Sequence, residues 1–198
     1  MIALETKYYL GIFATFITIA AITPYIISIL KNKTKPHAFS WIIWGISTCV
    51  IFFAQFFSGA GAGCWSIGVS GLITIFVAYL AYQKKSDDSI TKTDYICLIT
   101  AISAIPCWYF TSNPLYAVMI LTAIDVVGYL PTIRKSYYKP FEENVTLFAV
   151  MAFRNFISIL ALESYLMTNI LFQLATLLAN IVVIIVVLRR RRVFDHQV

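Results

Sequence analysis

Charge is what this sequence has least of. Asp, Glu, Lys and Arg make up 12% of its 198 residues, about half the share of a soluble domain. A chain so short of charge cannot cover itself with water-binding side chains, which excludes an ordinary soluble enzyme. Histidine is nearly missing: His37 falls in a loop and His196 in the tail. No HExxH, GxSxG or P-loop pattern occurs, so no metal-hydrolytic, nucleophile-elbow or phosphate-cradling chemistry is encoded. The four cysteines, Cys49, Cys64, Cys97 and Cys107, form no CxxC or Cys/His spacing. They read as small buried apolar residues rather than metal ligands, with a Cys64–Cys107 disulfide as the lesser alternative. The acidic pairs Asp87-Asp88 and Glu142-Glu143 sit in basic loops and read as solvated surface. No catalytic residue, cofactor or metal is expected.

What is present in excess is apolar sequence. Hydrophobic residues are 60% of the chain and the mean hydropathy is +0.82. Seven runs approach the roughly 20 apolar residues needed to cross a bilayer: 8–30, 38–58, 62–83, 93–110, 114–133, 145–165 and 168–188. The expectation is an all-α integral membrane protein with seven transmembrane helices. The first run is longer than the apolar core of a cleavable leader, lacks a basic region before it and ends in Lys31, so it reads as a span.

The few charges are placed by side. Loops 31–37, 84–92 and 134–143 and the tail hold 13 of the 15 basic residues. Only Lys7 lies at the other end, and Arg154 lies within a run. The positive-inside rule then puts the N-terminus outside and the C-terminus in the cytoplasm. The net charge of +6 is a topology signal, and no nucleic-acid partner is expected, because the basic residues flank apolar spans. Short loops suggest a bacterial cytoplasmic membrane.

The chain repeats itself. Residues 8–85 carry three apolar runs, residues 114–192 carry three more at an offset of about 106–107, and run 93–110 lies between. An odd linker returns the second unit to the orientation of the first. Two parallel three-helix repeats joined by a linker helix are a transporter architecture, with the binding site at the repeat interface. In this alignment Pro24 faces Pro131, and Gln83-Lys84-Lys85 face Arg189-Arg190-Arg191.

Three polar positions sit at mid-depth in the second unit, counting inward at about 1.5 Å per residue. They are Asp125, Arg154 and Asn180, where charges and amides are costly and face a cavity or a partner. Their mates in the first unit are Thr18, Thr48 and Thr74. Asn180 and Thr74 read either as ligands binding a polar solute from opposite sides or as interhelical ties. Asp125 and Arg154 read either as a buried ion pair between the fifth and sixth helices or as groups that a substrate contests. Asp125 is the candidate for proton coupling, and Arg154 could clamp an anion. Trp41 and Trp44, three residues apart, and Tyr25 at similar depth could stack on a ring or close the inner mouth, against the alternative of an interfacial aromatic belt. Pro24 and Pro131 remove backbone hydrogen bonds and could serve as paired hinges or static kinks.

Thr23-Pro24-Tyr25 followed by Lys31, Lys33, Ser40 and Trp41, and Leu130-Pro131-Thr132 followed by Arg134, Lys135 and Thr146, resemble the layout of PQ-loop repeats. Tyr25 and Thr132 stand where the family has glutamine. The 3+1+3 count over essentially the whole chain resembles full-length SWEET-type transporters. That resemblance implies alternating access of a small polar solute, a sugar by default, either facilitative or proton-linked. It also implies that Thr74 and Asn180 stand on the helices that contact substrate. The Trp41-x-x-Trp44 pair resembles the aromatic-lined sites of PnuC-type vitamin transporters, which implies a nucleoside-like vitamin precursor as the alternative. A non-transporting membrane receptor is the rival class. Expected partners are the small-molecule substrate, the lipid bilayer and protons, with a homo-oligomer left open.

Overall fold

The computed structural model describes residues 3–33, 36, 38–84, 92–138 and 140–195. Expectations resting on Lys35, His37, Lys85, Asp87, Asp88 and His196 lie outside these residues, as do those resting on the side chains of Pro131, Lys135 and Glu142. The described residues form seven α-helices: α1 (Leu4–Leu30), α2 (Ala38–Phe57), α3 (Trp65–Gln83), α4 (Lys92–Thr111), α5 (Pro114–Tyr138), α6 (Val145–Leu160) and α7 (Met167–Asp195). Short 3-10 turns at Gly61–Cys64 and Pro140–Glu142 precede α3 and α6. By length and composition five helices can cross a membrane: α1, α2, α3 with its 3-10 turn, α5 and α7. The apolar parts of α4 and α6 are shorter. The chain has the make-up of an all-helical membrane protein.

Two boundaries depart from the apolar runs. The run 145–165 yields a helix that stops at Leu160, because the chain after Ala161 turns back and the Glu163 amide donates to Ala60 O at 3.1 Å. The last run extends past the bilayer length, with α7 continuing through Arg189–Arg192 to Asp195. Arginine is a good helix former, so hydropathy loss alone does not end the helix.

Helix ends follow local chemistry. Asn113 accepts from the Leu115 amide at 3.0 Å, and Pro114 occupies the first helical position, where its missing N–H costs nothing. Asn144 caps α6 by accepting from Leu147 N. α1 and α2 close with the same device. After α1, Asn32 sits at φ 55°, with Lys33 N donating to Ser28 O and Asn32 N to Ile29 O. After α2, Gly59 sits at φ 73°, with Ala60 N donating to Gln55 O and Gly59 N to Phe56 O. Left-handed residues at these positions satisfy the last carbonyls of each helix.

The helices pack in a repeating order. In the first unit α3 lies between α1 and α2; in the second, α7 lies between α5 and α6. The units meet through α1 against α6 and α2 against α5, while α4 rests on α5 and α2. The main apolar core joins Ile43, Ile51 and Ala54 of α2 with Ile67 of α3, Ala101 and Ala104 of α4, Val118 and Leu121 of α5, and Phe172 of α7. Close approach of α2 and α3 needs glycine: a Cβ on Gly45 would lie 2.9 Å from Ile75 Cγ1, and one on Gly71 2.9 Å from Cys49 Sγ. Small residues let helices approach where water provides no drive to associate.

At the basic end each unit is tied to itself. Lys84 Nζ donates to Ile29 O, Leu30 O and Asn32 Oδ1, at 2.8, 2.9 and 2.6 Å. Arg190 Nε donates to Tyr137 O at 2.9 Å. Arg191 donates to Pro140 O and Glu143 O at 3.1 and 2.8 Å. In both units a cation at the end of the third helix reaches back to the C-terminal carbonyls of the first. Cations favour that end of the helix dipole.

Candidate functional site

Polar residues of α2 and α7, Thr48 and Gln55 on one and Asn169, Gln173, Thr176 and Asn180 on the other, fall on stripes that meet at one end. On α2, Trp44, Thr48, Ile51 and Gln55 recur at spacings of four, three and four, which is one helix face. On α7, Asn169, Gln173, Thr176 and Asn180 do the same. At the end opposite the basic loops the stripes touch. Gln55 Nε2 donates to Gln173 Oε1 at 2.9 Å, and Gln173 Nε2 donates to Gln55 Oε1 at 3.0 Å. A second polar contact joins α3 to α6, where the Ser66 and Ser158 hydroxyls lie 2.7 Å apart. Exchanging first and second units turns an α2–α7 contact into an α6–α3 contact, so the two join corresponding helix pairs. Asn169 Nδ2 adds a bond to Ser58 O at 3.0 Å, and Lys7 lies over the Tyr165 ring. These contacts between the units gather at this end.

Burial along the same faces changes toward the basic end. Gln55 is 0% exposed, yet Trp44, eleven residues away on its stripe, is 41% exposed. Phe53 and Ile42 are also exposed, but they point to the opposite side of α2. On α6, Ser158 is 1% and Arg154 8% exposed, while Leu147 on the same face reaches 41%. Along these faces of α2 and α6, exposure thus rises from the Gln55–Ser158 end toward the basic end.

Arg154 stands one helical turn from Ser158 on the face that meets the first unit. Its Nε and Nη1 have no hydrogen-bond partner. Asn155 beside it is fully buried, and neither of its amide atoms is bonded. On α5, Asp125 and Tyr129 are four residues apart and share a face. Asp125 Oδ1 is enclosed and unpartnered. The buried ion pair open to Asp125 and Arg154 from their depth is not formed. Tyr129 instead lies within electrostatic reach of both. Its hydroxyl accepts from Asn180 Nδ2 at 3.2 Å, and the same amide nitrogen donates to Thr176 O at 2.6 Å.

The other expected residues divide. Thr74 Oγ1 donates to Ser70 O at 2.7 Å and Thr18 Oγ1 to Ala14 O at 3.0 Å, so both spend their hydroxyl hydrogens within their own helices. Because Asn180 uses both N–H groups internally, this site's free donors belong to Arg154 and Asn155 rather than to the Thr74–Asn180 pair. Thr48 is buried on the α2 stripe. Tyr25 and Trp41 stack at 5.2 Å against Ile29, Val77 and Leu80, a cluster that binds the first unit together. Trp44 meets Trp41 edge-on at 5.5 Å. Pro24 is exposed within a continuous α1, and Pro131 has helical backbone within α5. All four cysteines are free.

Gln55, Gln173, Tyr129, Asn155 and the Ser66–Ser158 contact escaped the sequence reading. The signal was available in part: Gln173 is seven residues from Asn180, and Tyr129 four from Asp125. What a sequence cannot show is that Gln55 and Gln173, 118 positions apart, face each other. Comparison with protein-family models, with curated proteins and with solved structures returned no match.

Proposed function

We propose that this protein carries a small polar solute across a membrane by alternating access between its two three-helix units, residues 8–85 and 114–192, with 93–110 as the linker. In this reading all seven helices span, α4 and α6 included, and the basic loops face the cytoplasm. The repeat reading draws on Lys84 and Arg190, 106 positions apart, which make the same reach from third helix to first. The observation that carries the proposal is the contrast between ends. The inter-unit bonds Gln55–Gln173 and Ser66–Ser158 lie at one end, and on the same helix faces Trp44 and Leu147 are exposed toward the other. That is the arrangement of a carrier open to its basic side. Rocking the units would break the glutamine pair and cover Trp44, exposing Arg154, Asp125 and Asn180 to the second side. Amide pairs suit such a seal, because each bond is worth only about 1 kcal/mol net and water can replace it on opening.

The test is counterflow in proteoliposomes with labelled sugars, nucleosides, amino acids and organic acids. It is paired with Gln55→Cys/Gln173→Cys on a background without the four native cysteines. Accumulation of a labelled solute, abolished by oxidation of the double variant and restored by reductant, is the expected result. Binding without flux assigns the chain to the receptor class, and flux that survives the cross-link removes the outer seal from the mechanism.

A further inference from the structure

Asp125 and Arg154 are unpaired inside this bundle, and they differ in what can be done about it. A carboxyl such as Asp125 can take a proton and lose its charge. An arginine cannot, because guanidinium remains protonated in proteins. Arg154 is 8% exposed and leaves Nε and Nη1 without a partner. No ion pair joins it to a carboxylate among the described residues, and Asp125 Oδ1 is itself unbonded. An unmet charge of this kind is a large penalty for the empty protein. A second, independent observation stands beside it: Asn155 is buried, with both amide atoms unbonded. On the α6 wheel Arg154 and Asn155 fall on either side of the Ser158 line, about 100° apart. Ser158 touches the first unit, so the two residues straddle the seam between units, one turn inside the seal. Guanidinium and amide N–H groups are hydrogen-bond donors, and Arg presents them in a planar fork that matches carboxylate and phosphate oxygens.

We infer that the solute bears an oxyanion, a carboxylate or a phosphate, and that Arg154 with Asn155 binds it at the unit interface. This rests on the carrier reading and narrows it: neutral sugars and nucleosides lack the group that the site is built to meet. The acceptors nearby, Tyr129 Oη and the Asn180 carbonyl, are left for hydroxyl or amine groups on the rest of the molecule.

The test uses the purified full chain in detergent, with thermal-shift readout and matched probes: glucose, gluconate and glucose 6-phosphate, then uridine and uridine 5′-monophosphate. An anionic member of a set should raise Tm where its neutral partner does not. Gluconate against glucose 6-phosphate separates carboxylate from phosphate. Arg154→Gln should weaken that binding about 30-fold or more, as expected when one partner of a buried charge-assisted contact is lost; Arg154→Lys should lose less. A second measurement needs no ligand. Arg154→Met should raise the Tm of the empty protein by removing the unmet charge. A fall in that Tm marks Arg154 as a structural tie and overturns the inference, whatever the probes do. Stabilisation by a neutral probe that is equal in wild type and Arg154→Gln overturns it too, while leaving the carrier reading intact. The counterflow experiment above decides that reading separately.

Discussion

The two three-helix units differ at three polar positions that the sequence offset of 106–107 residues pairs. In the first unit these positions are Thr18, Thr48 and Thr74. Thr18 and Thr74 are satisfied by a carbonyl one turn back in their own helix, as the Asn180 amide is in the second unit. The second unit has Asp125, Arg154 and Asn180, and Asp125 and Arg154 keep polar atoms that no neighbour bonds. The first unit also holds seven of the eight glycines and draws α2 and α3 together on Gly45 and Gly71. The difference separates a pair of helices packed closely on glycine from a unit whose buried ionisable side chains keep unbonded polar atoms. In the proposed carrier, unlike walls would bind an asymmetric solute in one orientation, which two identical walls could not specify.

The sharpest way to break this contrast is steric. Position 106 residues beyond Gly45 is Met151, so the second unit accepts a long side chain where the first cannot. Gly45→Leu should destabilise by about 3 kcal/mol, at the upper end of overpacking costs, because even its Cβ meets Ile75 at 2.9 Å. Met151→Leu should change stability by less than about 1.5 kcal/mol. Thermal unfolding of both variants in the same detergent checks this, and equal losses would remove the distinction.

A smaller effect is expected where the units touch. Gln55→Leu should cost about 2 kcal/mol, since it leaves the buried Gln173 amide without its partner. Gln55→Leu/Gln173→Leu should be closer to wild type than the sum of the single losses. A double-mutant cycle in denaturant or temperature reads the coupling. Additive losses would mean that the amides bond independently of each other.

The smallest effect belongs to the basic end. Lys84→Met and Arg190→Met should each cost about 0.5 kcal/mol, the scale of a cation at a helix C-terminus. If the two ends of the repeat are equivalent, the losses should match and neither should alter coupling between Gln55 and Gln173. Unequal losses measured by thermal shift would weaken the equivalence of Lys84 and Arg190.

Much of the fold was legible as hydropathy, because a bilayer imposes helix length and leaves no other local option for a single apolar run. Seven runs became seven helices, and Asn113-Pro114 and Asn144 marked two starts by side-chain chemistry alone. The end of α6 was not legible, since apolar residues continue past Leu160 and a backbone bond from Glu163 to Ala60 stops the helix there. The site was half legible. Cost at mid-depth singled out Asp125, Arg154 and Asn180, but cost does not say who the partner is, and an ion pair was as reasonable as a ligand.

Sequence alone determined the class of the molecule, the spacing of its polar residues along the apolar runs and the segregation of its basic ones, because these depend on composition and on distance along a helix. Tertiary structure alone decided which faces meet. It brought Gln55 to Gln173 and Ser66 to Ser158, and gave Asn180 to Tyr129. It also left Arg154 without a counter-charge. Partnership depends on helix rotation and crossing, which are set by the packing of all neighbours together and not by any one run of residues.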